Sequence, residues 1–379
     1  MIQDRPTYLK VNLDNILFNY NSIKNNINNK EIMAILKADA YGLGAKVVGK
    51  YLYENGVKTY GVATLEEALE LKTVVEDSLI LVLGVINPKN INIAIENNIS
   101  LCCPSVKWLE NAISNTKDNK SKLKLHLKID SGMSRIGITS EEEARKINDM
   151  VISENIALEG IFTHYANADD SDNSYDYRQR EIFDSIVSQI KLKPKYIHQE
   201  NSAASIKYAQ DESKLNLVRI GIALYGSYPS ADIQEETDIP LKNVSSLISE
   251  VVHIKEIPEH SKVGYGCSYE TENKEFIATI PIGYRDGILR FSQGWNVIVN
   301  GKKCEIVGRV CMDQLMIRCD KDVRLGDKVI FYGHYNDYYL PVEEYANYLK
   351  TIPYEIYCLI GSRVLRKYYI NNKELEKIE

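Results

Sequence analysis

The chain has 379 residues, of which 44% are hydrophobic, enough for one large domain and a second, smaller one. Its formal net charge of -6 lacks the basic excess that nucleic acids or anionic membranes attract, so neither is an expected partner. The seven cysteines show no C-x-x-C spacing, so neither a disulfide framework nor a metal site is predicted, and a reducing cytoplasm is the expected compartment. No apolar N-terminal region and no run of about 18 apolar residues occurs, so no signal peptide or membrane span is expected.

Short apolar runs alternate with charged segments of helical period from residue 30 to about residue 226, a pattern typical of βα units. Two helices are predicted over 65–75 and 140–151, because a Thr or Ser at each start precedes glutamates in the first turn. Eight strands are predicted, over 32–36, 60–63, 79–84, 100–103, 123–129, 158–163, 196–198 and 217–220. Eight such units predict an α/β fold, a (β/α)8 barrel of the TIM type.

The character of the sequence changes after about residue 235, where helical periodicity nearly vanishes. Short strands in EFIATIPIG, NVIVNGKKCEIVG, QLMIRCD and DKVIFYG are separated by Gly, Asn and Asp turns. We therefore predict a barrel domain over 1–234, with an N-terminal strand that could join the second domain, and a mostly β domain over 235–379. The acidic stretch 230–240 is the predicted connector.

Polar residues interrupt several predicted strands at their carboxyl ends, where the active site of a (β/α)8 barrel forms. Lys37 follows the first strand, and a lysine there can form a Schiff base with an aldehyde cofactor if burial and neighbouring cations lower its pKa from about 10.4. The segments NSAAS (201–205) and RIGIALYG (219–226) supply N–H donors and hydroxyls for a cofactor phosphate, and Arg219 could face the cofactor ring. Such segments bind phosphates in many unrelated barrels, so they do not identify the cofactor by themselves.

From about residue 7 to residue 368 the chain resembles the alanine racemases, fold type III enzymes of pyridoxal 5′-phosphate chemistry. The segment AILKADAYGLG is similar to their cofactor-lysine motif, which implies that Lys37 binds the cofactor and that Tyr41 lies against its phosphate. LKIDSGMSRIG resembles the motif that supplies a catalytic arginine, here Arg135, which contacts cofactor and substrate, and a lysine often carboxylated in the family, here Lys128. FTHYA, HQENSAAS, RIGIALYG and TIPYEIYC imply further cofactor contacts at His164, Asn201, Ser202, Arg219, Gly221, Ile222 and Tyr354.

Motifs of the second domain extend the resemblance. VGYGCSY implies Tyr265 as a second catalytic base, IPIGYRDG implies Tyr284 where the substrate enters, and GRVCMDQ implies Met312 and Asp313 as substrate contacts. The implied reaction is the isomerisation of L-alanine and D-alanine, with Lys37 and Tyr265 on opposite faces of the α-carbon. The resemblance also implies a head-to-tail homodimer with shared active sites and a supply of D-alanine for peptidoglycan.

Two residues beside the lysine depart from the family pattern: Asp39 stands in place of a common asparagine, and Leu43 in place of a common histidine. We expect both to change the packing there and to leave the chemistry intact. Three alternatives stay open, namely a serine or broad-specificity racemase, a fold type III decarboxylase and a non-catalytic cofactor carrier. An apolar pocket discriminates between substrates that differ by one small group by only roughly 1–3 kcal/mol of binding free energy. Slow turnover of serine is therefore expected even from an alanine racemase.

Overall fold

The computed structural model describes residues 4–116, 122–154, 156–211 and 214–375. Within these ranges the chain forms two compact units. One consists of residues 17–40 and 45–242, and we call it the barrel unit. The other consists of residues 4–16, 41–44 and 243–375, and we call it the β unit.

Strands alternate with helices in the barrel unit and dominate the β unit. In chain order the strands are β1 (Tyr8–Asn12), β2 (Glu31–Ile35), β3 (Thr59–Val62), β4 (Leu79–Val82), β5 (Ser100–Cys103), β6 (Leu123–Lys128), β7 (Ile156–Phe162), β8 (Tyr196–His198), β9 (Leu217–Ile220), β10 (Ser245–Glu250), β11 (His253–Ile257), β12 (Lys262–Val263), β13 (Tyr269–Glu270), β14 (Glu275–Ile280), β15 (Asn296–Val299), β16 (Lys302–Glu305), β17 (Leu315–Cys319), β18 (Lys328–Tyr335), β19 (Tyr338–Leu340), β20 (Leu365–Ile370) and β21 (Lys373–Glu374). The helices are α1 (Leu13–Lys24), α2 (Lys37–Gly42), α3 (Ala45–Glu54), α4 (Leu65–Lys72), α5 (Ile91–Glu96), α6 (Val106–Asn115), α7 (Glu141–Ser153), α8 (Ser174–Val187), α9 (Ser202–Lys207), α10 (Ala231–Glu236), α11 (Val342–Tyr348) and α12 (Pro353–Cys358).

Parallel strands form the barrel, in the order β8-β7-β6-β5-β4-β3-β2-β9. Backbone hydrogen bonds from Asn216 N to Ile197 O at 3.2 Å and from Arg219 N to Glu200 O at 3.0 Å close it between β9 and β8. Strands β3, β5 and β9 are buried along their whole length, as expected where helices cover one face and side chains fill the barrel interior. The predicted (β/α)8 barrel is confirmed.

Two helices of the barrel unit begin at the capping residues that the sequence indicated. Thr64 Oγ1 accepts from Glu67 N at 3.2 Å, and the Glu67 carboxylate accepts from Thr64 N, which starts α4. Ser140 Oγ accepts from Glu143 N at 3.3 Å and starts α7. Each bond satisfies an N–H that has no partner inside the first turn, so both predicted helix starts are confirmed.

The β unit contains a larger sheet ordered β16-β15-β18-β10-β1-β20-β21, with β19 paired to β18, and a smaller sheet ordered β11-β14-β17. Strand β1 lies antiparallel to β10 and parallel to β20. The mostly β character predicted here is confirmed, although α11 and α12 lie in this unit and α10 forms inside the predicted connector. In the described part of the chain, no helix has the length and apolar character needed to cross a bilayer.

Candidate active site

Lys37 lies at the carboxyl end of β2 and is the first residue of α2. Residues 38–41 have φ values between 53° and 56°, so this turn is left-handed. That conformation costs roughly 1–2 kcal/mol for each residue with a Cβ, and it persists only where surrounding contacts hold it. Here Glu67 Oε1 accepts from Ala38 N at 2.8 Å, and Asp39 Oδ1 accepts from Ala45 N at 2.7 Å. The strained turn is therefore held from both sides directly after the lysine.

The two departures from the family pattern have local structural roles. The Asp39 carboxylate accepts the N–H of Ala45, the first residue of α3, where a negative charge is favourable. Leu43 is fully buried, and its carbonyl accepts from Tyr368 Oη at 2.9 Å. Gly44 follows with φ of 97°, and a Cβ there would lie 1.8 Å from Tyr368 Oη. Glycine is therefore required immediately after Leu43.

Arg219, on β9, lies buried at the carboxyl end of the barrel, with 4% of its surface exposed. Its Nη2 donates to the carbonyl oxygens of Thr163 and Gln199 at 2.8 and 2.7 Å. Its Nη1 lies 2.8 Å from Nδ1 of His198, and Nη2 lies 3.1 Å from Nδ1 of His164. Burial lowers the pKa of Arg219 to about 9, so the guanidinium still carries its charge at neutral pH. The barrel thus holds a fixed cation at its carboxyl end.

Two neutral histidines extend from Arg219 into the barrel interior. Because a guanidinium only donates, His198 accepts at Nδ1 and carries its proton at Nε2. That Nε2 lies 2.9 Å from Nδ1 of His126, which therefore accepts. Burial, followed by the charge of Arg219, lowers the pKa of His126 to about 3 and that of His198 well below its ordinary range. Gly160 makes room for this arrangement, because a Cβ there would lie 2.3 Å from His126 Nδ1.

Sequence reasoning missed His126 and did not place His198 among the predicted site residues. The available signal was the alternation in β6, whose sequence is LKLHLK. Lys124, His126 and Lys128 are two residues apart, so a strand directs them to one face, and two of them are buried. Basic residues at alternate positions of a buried strand indicate a polar barrel interior.

Lys128 and Arg135 lie at the two ends of the loop after β6. Lys128 is 3% exposed, and burial, followed by the charge of Arg219, lowers its pKa to about 8. Its Nζ donates to the carbonyl of the next residue at 2.9 Å. The Asp130 carboxylate accepts from three backbone N–H groups of the loop, including that of Arg135 at 2.9 Å. Asp130 thus shapes the loop that presents the exposed Arg135 side chain.

His164 follows β7, and its pKa shows that the mouth of the barrel is positively charged. Burial lowers its pKa well below the ordinary range, and four cations lower it further, in the order Arg219, Arg135, Lys128 and Lys37. These cations come from the ends of β9, β6 and β2. The four cations around this neutral imidazole create a positive potential, which suits a phosphate or a carboxylate.

The loops after β8 and β9 contribute small side chains and backbone N–H groups. Asn201 Oδ1 accepts from Ala204 N at 3.0 Å and so caps α9. Ser202 Oγ accepts from Gly221 N at 2.9 Å, and Ile222 is fully buried at the start of a short 3-10 helix. The bond between Ser202 and Gly221 joins the two loops where many barrels bind phosphate.

In the β unit, predicted substrate-side residues lie on exposed loops. Tyr265, Tyr284 and Met312 are 67%, 43% and 52% exposed. Backbone N–H groups of the Tyr284 loop donate to carbonyls of the Met312 loop at 3.0 and 3.1 Å, so these two loops are paired. Asp313 forms an ion pair with Arg363 at 2.7 Å. Large side chains therefore project from a well-connected loop cluster.

Tyr41 and Tyr354 form a further pair within the β unit. Their ring centroids are 5.9 Å apart. Burial, followed by the neighbouring Tyr354, raises the pKa of Tyr41 far above the ordinary tyrosine range. Tyr41 therefore stays protonated and can donate a hydrogen bond to an anion.

Comparison with known proteins covers nearly the whole chain. Residues 11–229 match the family model of the alanine racemase N-terminal domain, and residues 244–368 match that of the alanine racemase C-terminal domain. The chain belongs to the alanine racemase family. An alanine racemase of Staphylococcus carnosus is 44% identical over 96% of this chain and 95% of its own length. One of Listeria monocytogenes is 39% identical over 96% of this chain and 98% of its own length.

Solved structures that are similar to this chain share its fold. The alanine racemase from Bacillus anthracis with bound L-Ala-P is 39% identical and superposes with a TM-score of 0.93, covering 99% of this chain and 98% of that chain. A histidine racemase from Leuconostoc mesenteroides is 28% identical with a TM-score of 0.90, covering 97% and 99%. Proteins named for different amino acids thus share this fold, so the substrate has to be argued from the site.

Pyridoxal 5′-phosphate is the cofactor of the alanine racemase family, and the residues at the barrel mouth fit it. Lys37 offers an amine for the aldehyde group. The cations around His164 suit an anionic cofactor. The Ser202 hydroxyl accepts from Gly221 N and keeps its own proton, which it can donate to the phosphate.

Proposed function

We propose that this protein is an isomerase, an alanine racemase that interconverts L-alanine and D-alanine with pyridoxal 5′-phosphate and supplies D-alanine for peptidoglycan. The observation that carries the proposal is the set of three cations, Arg219, Arg135 and Lys37, around the neutral His164, in a chain that matches the family along nearly its whole length. When bound, the cofactor accepts the electrons released as the α-proton leaves the substrate. The protein supplies the groups that bind, orient and move the proton.

Lys37 would hold the cofactor through its amine, and Arg219 would face the cofactor ring. The hydrogen bonds of Arg219 described above use Nη1 and Nη2, so we assign Nε to the ring nitrogen. An arginine does not yield its proton, so that nitrogen would stay unprotonated and the electron sink would be moderate. For the remaining cofactor contacts we propose Tyr41, His164, Asn201, Ser202, Gly221, Ile222 and Tyr354.

Racemisation needs one acid–base group on each side of the α-carbon. We assign Lys37 to one side and Tyr265 to the other. A tyrosine removes a proton only where cations favour its phenolate form, so this assignment requires a cation beside Tyr265 in the assembled site. Arg135 is the proposed arginine between cofactor and substrate, and Tyr284, Met312 and Asp313 are the proposed substrate contacts.

We also propose a head-to-tail homodimer in the cytoplasm, in which each β unit completes the active site of the partner. The exposure of Tyr265, Tyr284 and Met312 supports this, because the β unit presents three large side chains to water. A monomer would then be inactive. Recovery of activity after mixing Lys37→Ala chains with Tyr265→Ala chains tests this arrangement.

Alanine is the proposed substrate because Met312 and Tyr354 would crowd a longer side chain. The second candidate is a serine-specific or broad-specificity racemase. The histidine racemase with the same fold supports this alternative, because it shows that the fold is not restricted to one amino acid. A hydroxyl added to the substrate is rejected only weakly by an apolar pocket, so we expect slow turnover of serine.

We propose that Lys128 is carboxylated. Only a neutral amine adds carbon dioxide, and a pKa of about 8 gives Lys128 a larger neutral fraction at pH 7 to 8 than an exposed lysine has. The product is an anion, and the charges of Arg219 and Arg135 that lower this pKa would stabilise it. Incubation with ¹³C-bicarbonate should give a carbamate signal in ¹³C NMR that Lys128→Ala loses and Lys124→Ala retains. A spectrum unchanged by Lys128→Ala would exclude the modification.

The central experiment measures D-alanine formed from L-alanine by the purified protein with pyridoxal 5′-phosphate, with L-serine in parallel. We expect alanine turnover that Lys37→Ala abolishes and Lys46→Ala, a change at an exposed lysine of α3, retains. Turnover of serine alone would move the substrate assignment. Release of carbon dioxide would indicate a decarboxylase, and cofactor binding without any turnover would indicate a carrier.

A further inference from the structure

Two sheets of the β unit meet at an isolated antiparallel bridge between Ile306 and Ile317. Ile306 follows β16 of the larger sheet, and Ile317 lies on β17 of the smaller sheet. Beside the bridge, Val307 N donates to Met316 O at 2.9 Å. In an antiparallel ladder, hydrogen-bonded and non-hydrogen-bonded pairs alternate, so Ile306 and Ile317 form a non-hydrogen-bonded pair.

The same register brings two cysteines opposite each other. The bridge is isolated, and extending its register by two residues along each strand aligns Cys304 with Cys319, at a position that would again be non-hydrogen-bonded. Glu305 and Arg318, the pair in between, support this register with an ion pair at 2.8 Å. Such positions have Cα atoms about 4.5 Å apart, within the range that a disulfide spans.

Ion pairs bracket the cysteines on both sides, because Lys302 and Asp320 also meet, at 2.6 Å. Cys304 is 4% exposed and Cys319 is half-buried, and both line a cavity of about 330 Å³. A small molecule can therefore reach the pair from the cavity.

The environment keeps both thiols protonated. Burial raises the pKa of Cys304 to about 11, and burial together with Cys304 raises the pKa of Cys319 to about 12. Two neutral thiols do not repel each other, so the pair is stable in its reduced state. The small thiolate fraction also predicts slow reaction with oxidants near neutral pH.

We propose that Cys304 and Cys319 form a modification site at which a small two-electron oxidant such as hydrogen peroxide produces a disulfide between β16 and β17. The Cys319 thiolate attacks peroxide: an S–O bond forms, the O–O bond breaks and, with the thiol proton, water leaves. Cys304 sulfur then attacks this sulfenic sulfur, the S–S bond forms and the S–O bond breaks. The Cys304 proton leaves with the hydroxyl as a second water. Two thiols have lost two electrons to one peroxide, and an excess of a small thiol reverses the step.

The disulfide would join the two ends of the segment from Cys304 to Cys319 and so turn it into a closed loop. This segment carries Met312 and Asp313, so the bond would restrain the loop that contacts the substrate. That consequence rests on the proposed function, whereas formation of the disulfide does not.

The test treats the full chain with hydrogen peroxide, blocks remaining thiols in denaturant and maps the peptides by mass spectrometry. We expect a linked peptide pair containing Cys304 and Cys319, reversed by dithiothreitol, together with a higher melting temperature of the oxidised protein. Cys304→Ser and Cys319→Ser should each lose the link, whereas Cys102→Ser, a change at another buried thiol, should retain it.

Oxidation of the exposed Cys267 while Cys304 and Cys319 are recovered as separate, blocked thiols would overturn the proposal. Separate sulfinic acids at the two positions would do the same. Phenylarsine oxide provides a measurement that does not depend on the rate of oxidation, because its arsenic binds two neighbouring thiols with loss of water. We expect the wild-type chain to bind one phenylarsenic group more than Cys304→Ser or Cys319→Ser. Equal labelling of wild type and both variants would also overturn the proposal. Neither measurement uses racemase activity, so failure here is distinguishable from failure of the proposed function.

Discussion

Nη1 of Arg219 donates to Nδ1 of His198 at 2.8 Å, and this bond determines which nitrogen atoms carry protons in the barrel interior. Because the guanidinium cannot accept, His198 donates from Nε2 to His126 at 2.9 Å. In the proposed function Arg219 faces the cofactor ring. His198 and His126 are then positioning residues that hold the cation in place.

Two substitutions at His198 distinguish the effect of losing the hydrogen-bond acceptor from the effect of losing the ring itself. His198→Asn keeps an oxygen acceptor near the Nδ1 position, whereas His198→Leu removes it. A hydrogen bond to a charged group contributes about 1.5–3 kcal/mol, so kcat for alanine should fall roughly 10- to 100-fold in His198→Leu. The kcat of His198→Asn should fall less than about tenfold, with KM nearly constant in both. Equal losses in steady-state kinetics would show that the acceptor is not what matters.

The buried histidines should make stability depend on pH. An unfolded histidine takes up a proton below about pH 6.5. Folding lowers the pKa of His126 to about 3, so in this range the unfolded state binds more protons. The free energy of unfolding should therefore fall as pH drops from 6.5 towards 4, by up to about 1.4 kcal/mol per pH unit for this group. Urea unfolding at pH 7 and pH 5 should show a smaller pH dependence in His126→Phe than in wild type. The exposed His253→Phe is the matched control and should retain the wild-type slope.

A buried ion pair next to the β8 end of the barrel provides a test of stability. Lys30 Nζ lies 3.0 Å from Glu200 Oε1, and both side chains are almost fully buried. Removing one partner leaves an uncompensated buried charge, so Glu200→Met should lower the free energy of unfolding by about 3–5 kcal/mol. The double variant Lys30→Met, Glu200→Met should be more stable than Glu200→Met in urea unfolding. Lys107→Met, which removes an exposed ion pair, should change stability by less than about 1 kcal/mol.

The contact of Gly44 with Tyr368 predicts which glycine tolerates a side chain. Gly44→Ala combines a left-handed φ with a clash at 1.8 Å, whereas Gly56 has φ of 88° with open space around it. Gly56→Ala should cost about 1 kcal/mol, the conformational cost alone, and Gly44→Ala clearly more. Tyr368→Phe should partly rescue Gly44→Ala by removing the clashing oxygen. Identical melting temperatures for the two alanine variants would contradict this account.

The shared active site predicts complementation between inactive chains. Lys37→Ala and Tyr265→Ala should each abolish racemisation. After mixing, unfolding and refolding together, heterodimers should contain one active site with both residues, so about a quarter of the wild-type activity should return from a statistical mixture. No recovery, with mixed dimers verified by differential tagging, would place both bases in one chain.

The sequence alone determined the kind of fold, because the relevant signals are local. Strands at 100–103, 196–198 and 217–220 occur where their short apolar runs predicted them, and α4 and α7 begin at their capping residues. Turn composition likewise distinguished the β-rich second half. The motifs named Lys37, Arg135 and Arg219 as candidates, and their roles remain predictions.

Only the tertiary structure decided which side chains meet. His126 and His198 are 72 residues apart, and their contact depends on strand register and on the missing side chain at Gly160. The inferred pairing of Cys304 with Cys319 likewise depends on one bridge between two sheets, because the sequence has no C-x-x-C spacing. The lowered pKa values at the barrel mouth have the same origin, because desolvation and charge–charge interactions depend on distances through space rather than along the chain.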